Sequence, residues 1–194
     1  MKIILASKSG VRKQILDKYK IDNEVMISNV DEDEIKKSLL SEGANPEMIS
    51  KNLAEIKSVK VSSKNPDRIV LGADSVVSLN NEIIDKPKNR EEAFSILKKL
   101  NNHIHYLISS VCISRNGAMI WNYTDSSELK MKNLNEKALI QYLDKIKTET
   151  LLAYGVYQIE AGGLELFDYV KGDRESIMGL PIKEILNYIN QYKK

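Results

Sequence analysis

The stretch Ile69–Pro87, IVLGADSVVSLNNEIIDKP, constrains the fold of this chain more than any other. Ile69-Val70-Leu71 is an apolar run with the character of a buried strand. It enters Gly72-Ala73, a single acid, Asp74, follows, and apolar strand character resumes at Val76-Val77. Asn80-Asn81 suits a tight hairpin because Asn tolerates positive φ. Glu82-Ile83-Ile84 then returns the chain, and Lys86-Pro87 closes the unit. A charged side chain at the end of a buried strand, beside residues too small to crowd a ligand, is a common place for chemistry. A lysine carried back by the hairpin suits an anionic substrate.

Composition narrows the classes. A chain of 194 residues is expected to form one domain, residues 1–194, with room for two lobes on one sheet. The hydrophobic content of 42% supplies an ordinary core, and the 29% of charged residues a well-solvated surface. A net charge of +2, with both signs interleaved, argues against a nucleic-acid partner. The one cysteine, Cys112, excludes an internal disulfide and fits a reducing compartment. It lies in the apolar stretch Ser110–Ile113 and reads as a packed thiol rather than a nucleophile. Ile3-Ile4-Leu5-Ala6 is too short for a signal peptide, and no stretch approaches the roughly 18 apolar residues of a membrane span. The expectation is a soluble, cytoplasmic protein with no membrane partner.

Taken in order, Lys2–Ala6 reads as a buried strand, followed by Ser7-Lys8-Ser9-Gly10 and a helix to about Tyr19. Val11, Ile15, Leu16 and Tyr19 form that helix's apolar stripe, and Ser7 or Ser9 is its natural N-cap. Strand, Ser/Gly turn and helix is a layout that aims backbone N–H groups at an anion. Arg12, in the first turn and off the stripe, either adds charge-assisted bonds to a phosphate or is a solvated surface group. Glu24–Ile27 is a second strand. Asp31-Glu32-Asp33-Glu34 opens a polar helix through Leu40, and a longer helix runs from Pro46 to about Ser62, with Lys57 beside its apolar stripe. Asn89 with Glu92 resembles a capping box for a helix ending at Leu100. Ile104–Ile113 and Met119–Met131 are long strands around the hairpin signal Asn116-Gly117. His103 and His105 make an H-x-H pair without a third histidine, so they read as structural rather than metal-binding. Asn135–Ile146 is an amphipathic helix, Lys147–Thr150 a polar link, and Tyr154–Gly163 a glycine-containing segment that places Glu160 beside small residues. Leu164–Val170 reads as a strand, Gly172–Gly179 as a loop, and Pro181 as the start of a last helix packed through Ile182, Ile185, Leu186 and Ile189. Strands and helices mix without strict alternation, so the class is α/β or α+β with a mixed sheet.

Four stretches together resemble the Maf family of nucleoside triphosphate pyrophosphatases, also known as septum formation inhibitors. Leu5–Leu16, LASKSGVRKQIL, is similar to L-A-S-x-S-P-R-R. Asp31-Glu32 and Leu53-Ala54-x-x-Lys57 form a second match. Gly72–Val77 with Lys86-Pro87 is similar to A-D-T-V-V and K-P. Tyr157–Ala161, Gly172-Asp173 and Gly179-Leu180-Pro181 are similar to Y-x-I-Q-G, G-D and G-L-P. The order and spacing hold over nearly the whole chain. The resemblance implies an α/β fold, a mixed sheet with helices on both sides and two lobes around a central cleft, usually in a homodimer. It implies hydrolysis of a nucleoside triphosphate to the monophosphate and pyrophosphate with a divalent metal, magnesium, manganese or cobalt. Carried over by position, Ser7, Ser9, Arg12, Lys57 and Lys86 hold phosphates. Glu32, Asp74 and Glu160 hold metal and water, and Asp74 stands where the family has its general base. Two departures bear on substrate. The family's P-R is Gly10-Val11 here, so one phosphate-binding arginine is absent, with Lys13 as a partial substitute. The Gln of Y-x-I-Q-G is Glu160. Together these resemble the branch preferring 7-methyl-GTP over the dTTP/UTP branch, and Glu160 either faces the base or binds metal. The alternative reading is a nucleotide-binding regulator of cell division with little catalysis.

Overall fold

The computed structural model describes residues 2–159 and 162–192. Glu160, expected to be a site residue, lies outside the described residues. Seven strands are hydrogen-bonded in the order β2-β1-β3-β5-β6-β7, with β4 on β3: β1 is Ile3–Leu5, β2 Asn23–Val25, β3 Val70–Leu79, β4 Glu82–Ile84, β5 Ile104–Arg115, β6 Ala118–Met131 and β7 Phe167–Lys171. The sheet is mixed, since β1 runs parallel to β2 and β3 whereas β3 and β4, and β6 and β7, are antiparallel. The chain falls into two compact units, Met1–Ser75 with Ile108–Ser126 and Asp173–Lys194, and Val76–Leu107 with Ser127–Gly172. Strands β3, β5 and β6 each pass from one unit to the other.

In the first unit the period-two alternation of β1 and β3 is buried on both faces, as parallel strands require. Ile3, Leu5, Leu71 and Ala73 pack with Ile15 and Leu16 of α1 (Gly10–Lys18) and with Ile182, Ile185 and Ile189 of the last helix, Ile182–Tyr192. Ile4, Ala6 and Val70 meet Val61 on the other face. Val61 belongs to α3 (Pro46–Ser62), which follows α2 (Glu32–Ser41). Helices therefore cover both faces of this parallel core. Each fully buried Leu or Ile contributes about 1.5–3 kcal/mol. Helix α3 starts with Pro46 after the Asn45 cap, whose Oδ1 accepts from Met48 N at 2.8 Å. One face of it, Ile49, Leu53, Ala54, Lys57, Ser58 and Val61, is buried.

Gly72 explains how closely α3 lies on β3. A Cβ at that position would stand 2.2 Å from Ala54 O and 2.8 Å from both Ser58 N and Ser58 Cβ. The absent side chain makes room for a helix, not for a ligand. Cys112 is a buried thiol whose pKa is raised by burial, in line with a packing role. Both expected hairpins form on two-residue turns with positive φ, Asn80-Asn81 (52° and 66°) and Asn116-Gly117 (54° and 76°), the arrangement that matches strand twist.

In the second unit the first hairpin pairs Val77 with Ile84 and Leu79 with Glu82. Helix α4 (Arg90–Leu100) starts at Asn89, whose Oδ1 accepts from Glu92 N at 2.8 Å, while Glu92 Oε2 accepts from Lys88 N at 2.8 Å. Arg90 donates to Leu143 O at 2.7 Å and Ile146 O at 2.9 Å, satisfying the end of α5 (Glu136–Asp144). Three expectations change. The link at Lys147–Thr150 leads directly into a helix, α6 (Thr148–Tyr154), because Leu151 is buried. Leu164–Val170 is a 3₁₀ turn, Gly163–Leu166, and only from Phe167 a strand, with Leu129 opposite Val170. In the first unit, the expected loop Gly172–Gly179 holds a helical turn, α7 (Arg174–Ile177), capped by Asp173; the helix Ile182–Tyr192 is then α8. His105 is wholly buried against Tyr157 and Phe167, and its Nε2 shares a 2.9 Å hydrogen bond with Tyr157 Oη.

Candidate active site

The candidate site residues of the first unit collect at the C-terminal ends of β1 and along β3. The chain leaves β1 at Ala6 and turns into α1 through Ser7 and Ser9. Ser9 is the N-cap, its Oγ accepting from Arg12 N at 3.3 Å, and Ser9 N donates to Ser7 Oγ at 3.2 Å. Ser7 is 6% exposed.

Strand alternation sends Asp74 and its neighbours to opposite faces. Asp74 turns toward α3, where Lys57 Nζ donates to its Oδ1 at 2.7 Å. The same Nζ lies 2.8 Å from Glu32 Oε2 at the start of α2. One buried ammonium thus joins two carboxylates from different elements. The partners differ in exposure, at 9% for the Asp74 side chain and 48% for that of Glu32. Burial raises the pKa of Asp74, and Lys57 first, then Arg12, pull against that rise. The Asp74 carbonyl is held as well, accepting from Ser50 Oγ at 3.2 Å.

Ala73 and Ser75 face α1. Arg12 donates from Nη1 to Ala73 O at 3.0 Å and to Ser7 Oγ at 3.1 Å, from Nη2 to Ser75 Oγ at 3.1 Å, and from Nε to Gly179 O at 2.9 Å. Arg12 is half-buried, and with these four bonds its guanidinium is neither a solvated surface group nor an open fork. Ser75, Ser50, Ala73 O and Gly179 O were not singled out as site groups by residue type. Alternation about Asp74 is the signal that finds Ser75; the others are backbone carbonyls or distant in sequence.

Two expected residues are bonded to other groups. Lys13 is on the outer side of α1, paired with Asp17 at 2.5 Å. Lys86 belongs to the second unit, where its Nζ donates to Ala153 O at 2.8 Å. Among the described residues no three His, Cys, Asp or Glu side chains form a metal cluster. No helix among them is long and apolar enough to cross a membrane.

This arrangement is a carboxylate made more basic by burial, held against a cation, beside a capped helix start. It can accept a proton from a water near an anion. Residues 2–192 match the family model described as Maf-like protein. A nucleoside triphosphate pyrophosphatase of Pelagibacter ubique is 56% identical over 98% of both chains. One from Paramagnetospirillum magneticum is 35% identical over 97% of both. A 7-methyl-GTP pyrophosphatase of Brucella abortus is 33% identical, over 100% of this chain and 97% of that one.

Proposed function

The chain belongs to the Maf family, and from that premise we propose that it hydrolyses a nucleoside triphosphate to the nucleoside monophosphate and pyrophosphate. The observation that carries the reading is Asp74, buried and shared with Glu32 through Lys57, at the end of a chain segment braced from both sides. Water attacks the α-phosphorus, the bond from that phosphorus to the α–β bridging oxygen breaks, and pyrophosphate leaves. Asp74 takes the proton of the attacking water. Its burial-raised pKa makes it a stronger base than an exposed carboxylate. Lys57 keeps Asp74 in one rotamer and offers its charge to the phosphates. Ser7 and Ser9 supply donors at the start of α1.

A divalent metal fits the residues present. Glu32 and Asp74 already place two carboxylate oxygens within 2.8 Å of one positive centre, Lys57 Nζ. Hard divalent ions take such oxygen ligands. The bound ion would offset charge on the phosphates and acidify the attacking water. For the substrate, the absence of arginine at Val11 and the acid at Glu160 favour a 7-methyl-GTP-like base over dTTP or UTP. Pyrophosphate release from a panel of 7-methyl-GTP, dTTP, UTP, CTP and inosine triphosphate tests the reading. Folded protein that releases none from any of them with magnesium, manganese or cobalt refutes it.

A further inference from the structure

We propose that Arg12 is a positioning residue rather than a phosphate ligand: its half-buried guanidinium ties Ser7 Oγ, Ala73 O, Ser75 Oγ and Gly179 O together and leaves Ser7 with only its O–H to offer a substrate. The clause about substrate rests on the pyrophosphatase reading above; the clamp itself does not.

The donor count comes first. A guanidinium has five N–H groups. Four are spent: Nε on Gly179 O, both of Nη1 on Ser7 Oγ and Ala73 O, and one of Nη2 on Ser75 Oγ. One N–H remains. A bidentate grip on phosphate needs two parallel N–H groups from one edge. The edge formed by Nε and Nη2 already holds Gly179 O and Ser75 Oγ, and Nη1 is filled. The packing agrees, because a Cβ on Gly179 would stand 3.2 Å from Arg12 Nε and 3.2 Å from Ser75 Oγ. Gly179 has φ +95°, so a side chain there is strained by the backbone and crowds the Arg12 and Ser75 side chains.

Ala73 and Ser75 flank Asp74 in the chain, and Arg12 holds both from the α1 face. From the α3 face Lys57 holds the Asp74 side chain and Ser50 its carbonyl. The proposed base is therefore braced from both faces of its strand. Ser75 Oγ continues the network to Ser109 Oγ at 2.9 Å.

A hydroxyl has two lone pairs and one hydrogen. Both lone pairs are occupied, by Ser9 N–H at 3.2 Å and Arg12 Nη1–H at 3.1 Å. What remains is the O–H, which can only donate, the polarity an anionic phosphate oxygen requires. Arg12 thus acts on phosphate through Ser7, by fixing the direction of its hydroxyl.

The test combines exchange and kinetics. In the wild-type protein without nucleotide, the Arg12 Nε–H resonance exchanges slowly with water, and added pyrophosphate leaves it in place. An Nε–H that exchanges like a free arginine side chain, or shifts into a new bond with pyrophosphate, overturns the clamp whatever the enzyme does. Arg12→Lys cannot reach four acceptors from one ammonium. It lowers kcat about a hundredfold, as expected for a displaced catalytic group, while the inhibition constant of pyrophosphate stays within about threefold. Ser7→Ala lowers kcat/KM about tenfold alone but less than about threefold in the Arg12→Lys background, since both act through one hydroxyl. Ser75→Ala, which removes a single acceptor and keeps the fold, shows a smaller fall in kcat with the same unchanged pyrophosphate affinity. A pyrophosphate inhibition constant raised tenfold or more with kcat preserved identifies a direct phosphate ligand and refutes the proposal. A lower melting temperature with unchanged kcat refutes it too, leaving a purely structural residue. If the wild-type protein releases pyrophosphate from no nucleotide, the functional reading fails and the exchange measurement still decides the clamp.

Discussion

Gly72→Ala is the perturbation whose consequence can be worked furthest. The added methyl would lie 2.2 Å from Ala54 O and 2.8 Å from Ser58 N, both backbone atoms of α3. Ordinary carbon contacts are about 3.4 Å or more, so the helix and strand must part by about 1 Å. Neither neighbour is the flexible end of a side chain, so the separation is borne by packing between the two elements. The cost is about 3 kcal/mol, the upper part of the range for overpacked cores. For a chain of this length that lowers the melting temperature by about 6–12 °C. Function suffers separately. Lys57 precedes Ser58, and its Nζ sits 2.7 Å from Asp74 Oδ1. A displacement of about 1 Å stretches that contact to about 3.7 Å, which is no longer a hydrogen bond. Turnover in the surviving folded protein then falls about a hundredfold. Thermal unfolding followed by circular dichroism and a steady-state pyrophosphate-release assay read the two effects independently. A variant that melts within about 2 °C of the parent and keeps kcat within about twofold would show that the α3–β3 approach does not set the Lys57–Asp74 pair.

Three further outcomes follow from the same geometry. Asp74→Asn keeps the side chain's shape and removes the proton acceptor, so kcat falls by about two to four orders of magnitude while the far-ultraviolet spectrum is unchanged; full activity in this variant removes Asp74 as the base. Chelation with EDTA abolishes pyrophosphate release and added magnesium or manganese restores it, the expectation for Glu32 and Asp74 as oxygen ligands; activity persisting in EDTA contradicts it. Burial lowers the His105 pKa from 6.5 to about 4. The unfolded chain then binds the proton more readily than the folded one, so stability is lost as pH falls from 6.5 toward 4, by about 3 kcal/mol. Urea midpoints at pH 7 and pH 4.5 should diverge less in His105→Gln than in the parent, and equal divergence would place the acid sensitivity elsewhere.

What the sequence disclosed divides along a physical line. Features encoded within a few residues are legible: the Asn80-Asn81 and Asn116-Gly117 hairpins from the tolerance of Asn and Gly for positive φ, the helix start at Pro46, and the one at Asn89 from its capping box. Helix α6 is not, because its N-cap, Lys147, makes no side-chain cap bond and Thr148-Glu149 looks like any polar link. Leu164–Leu166, in the 3₁₀ turn Gly163–Leu166, reads as the start of a strand because its two leucines alternate. In the site, residue types were readable and their purposes only partly so. Asp74 stands out as an acid at a strand end, whereas Lys57 by spacing alone reads as a surface lysine and enters only through the family resemblance; their pairing depends on the α3–β3 distance, and the glycine that sets it reads as space for a ligand.

Arg12 is the sharper case. Its position off the apolar stripe of α1 suggests either solvent or phosphate, and both inferences assume that the side chain leaves the helix sideways. Helical side chains point back toward the N-terminus, and for a residue in the first turn that direction leads past the helix end. There Arg12 meets Ser7, and beyond it two residues of β3 and the carbonyl before Leu180. Two of the four acceptors are backbone oxygens, which every residue carries and no motif records. A reading by residue type counts cations available for phosphate. It cannot tell which of them have been consumed by carbonyls brought near only when β1, β3 and the turn before α8 assemble, and that assembly decides which donors remain for a ligand.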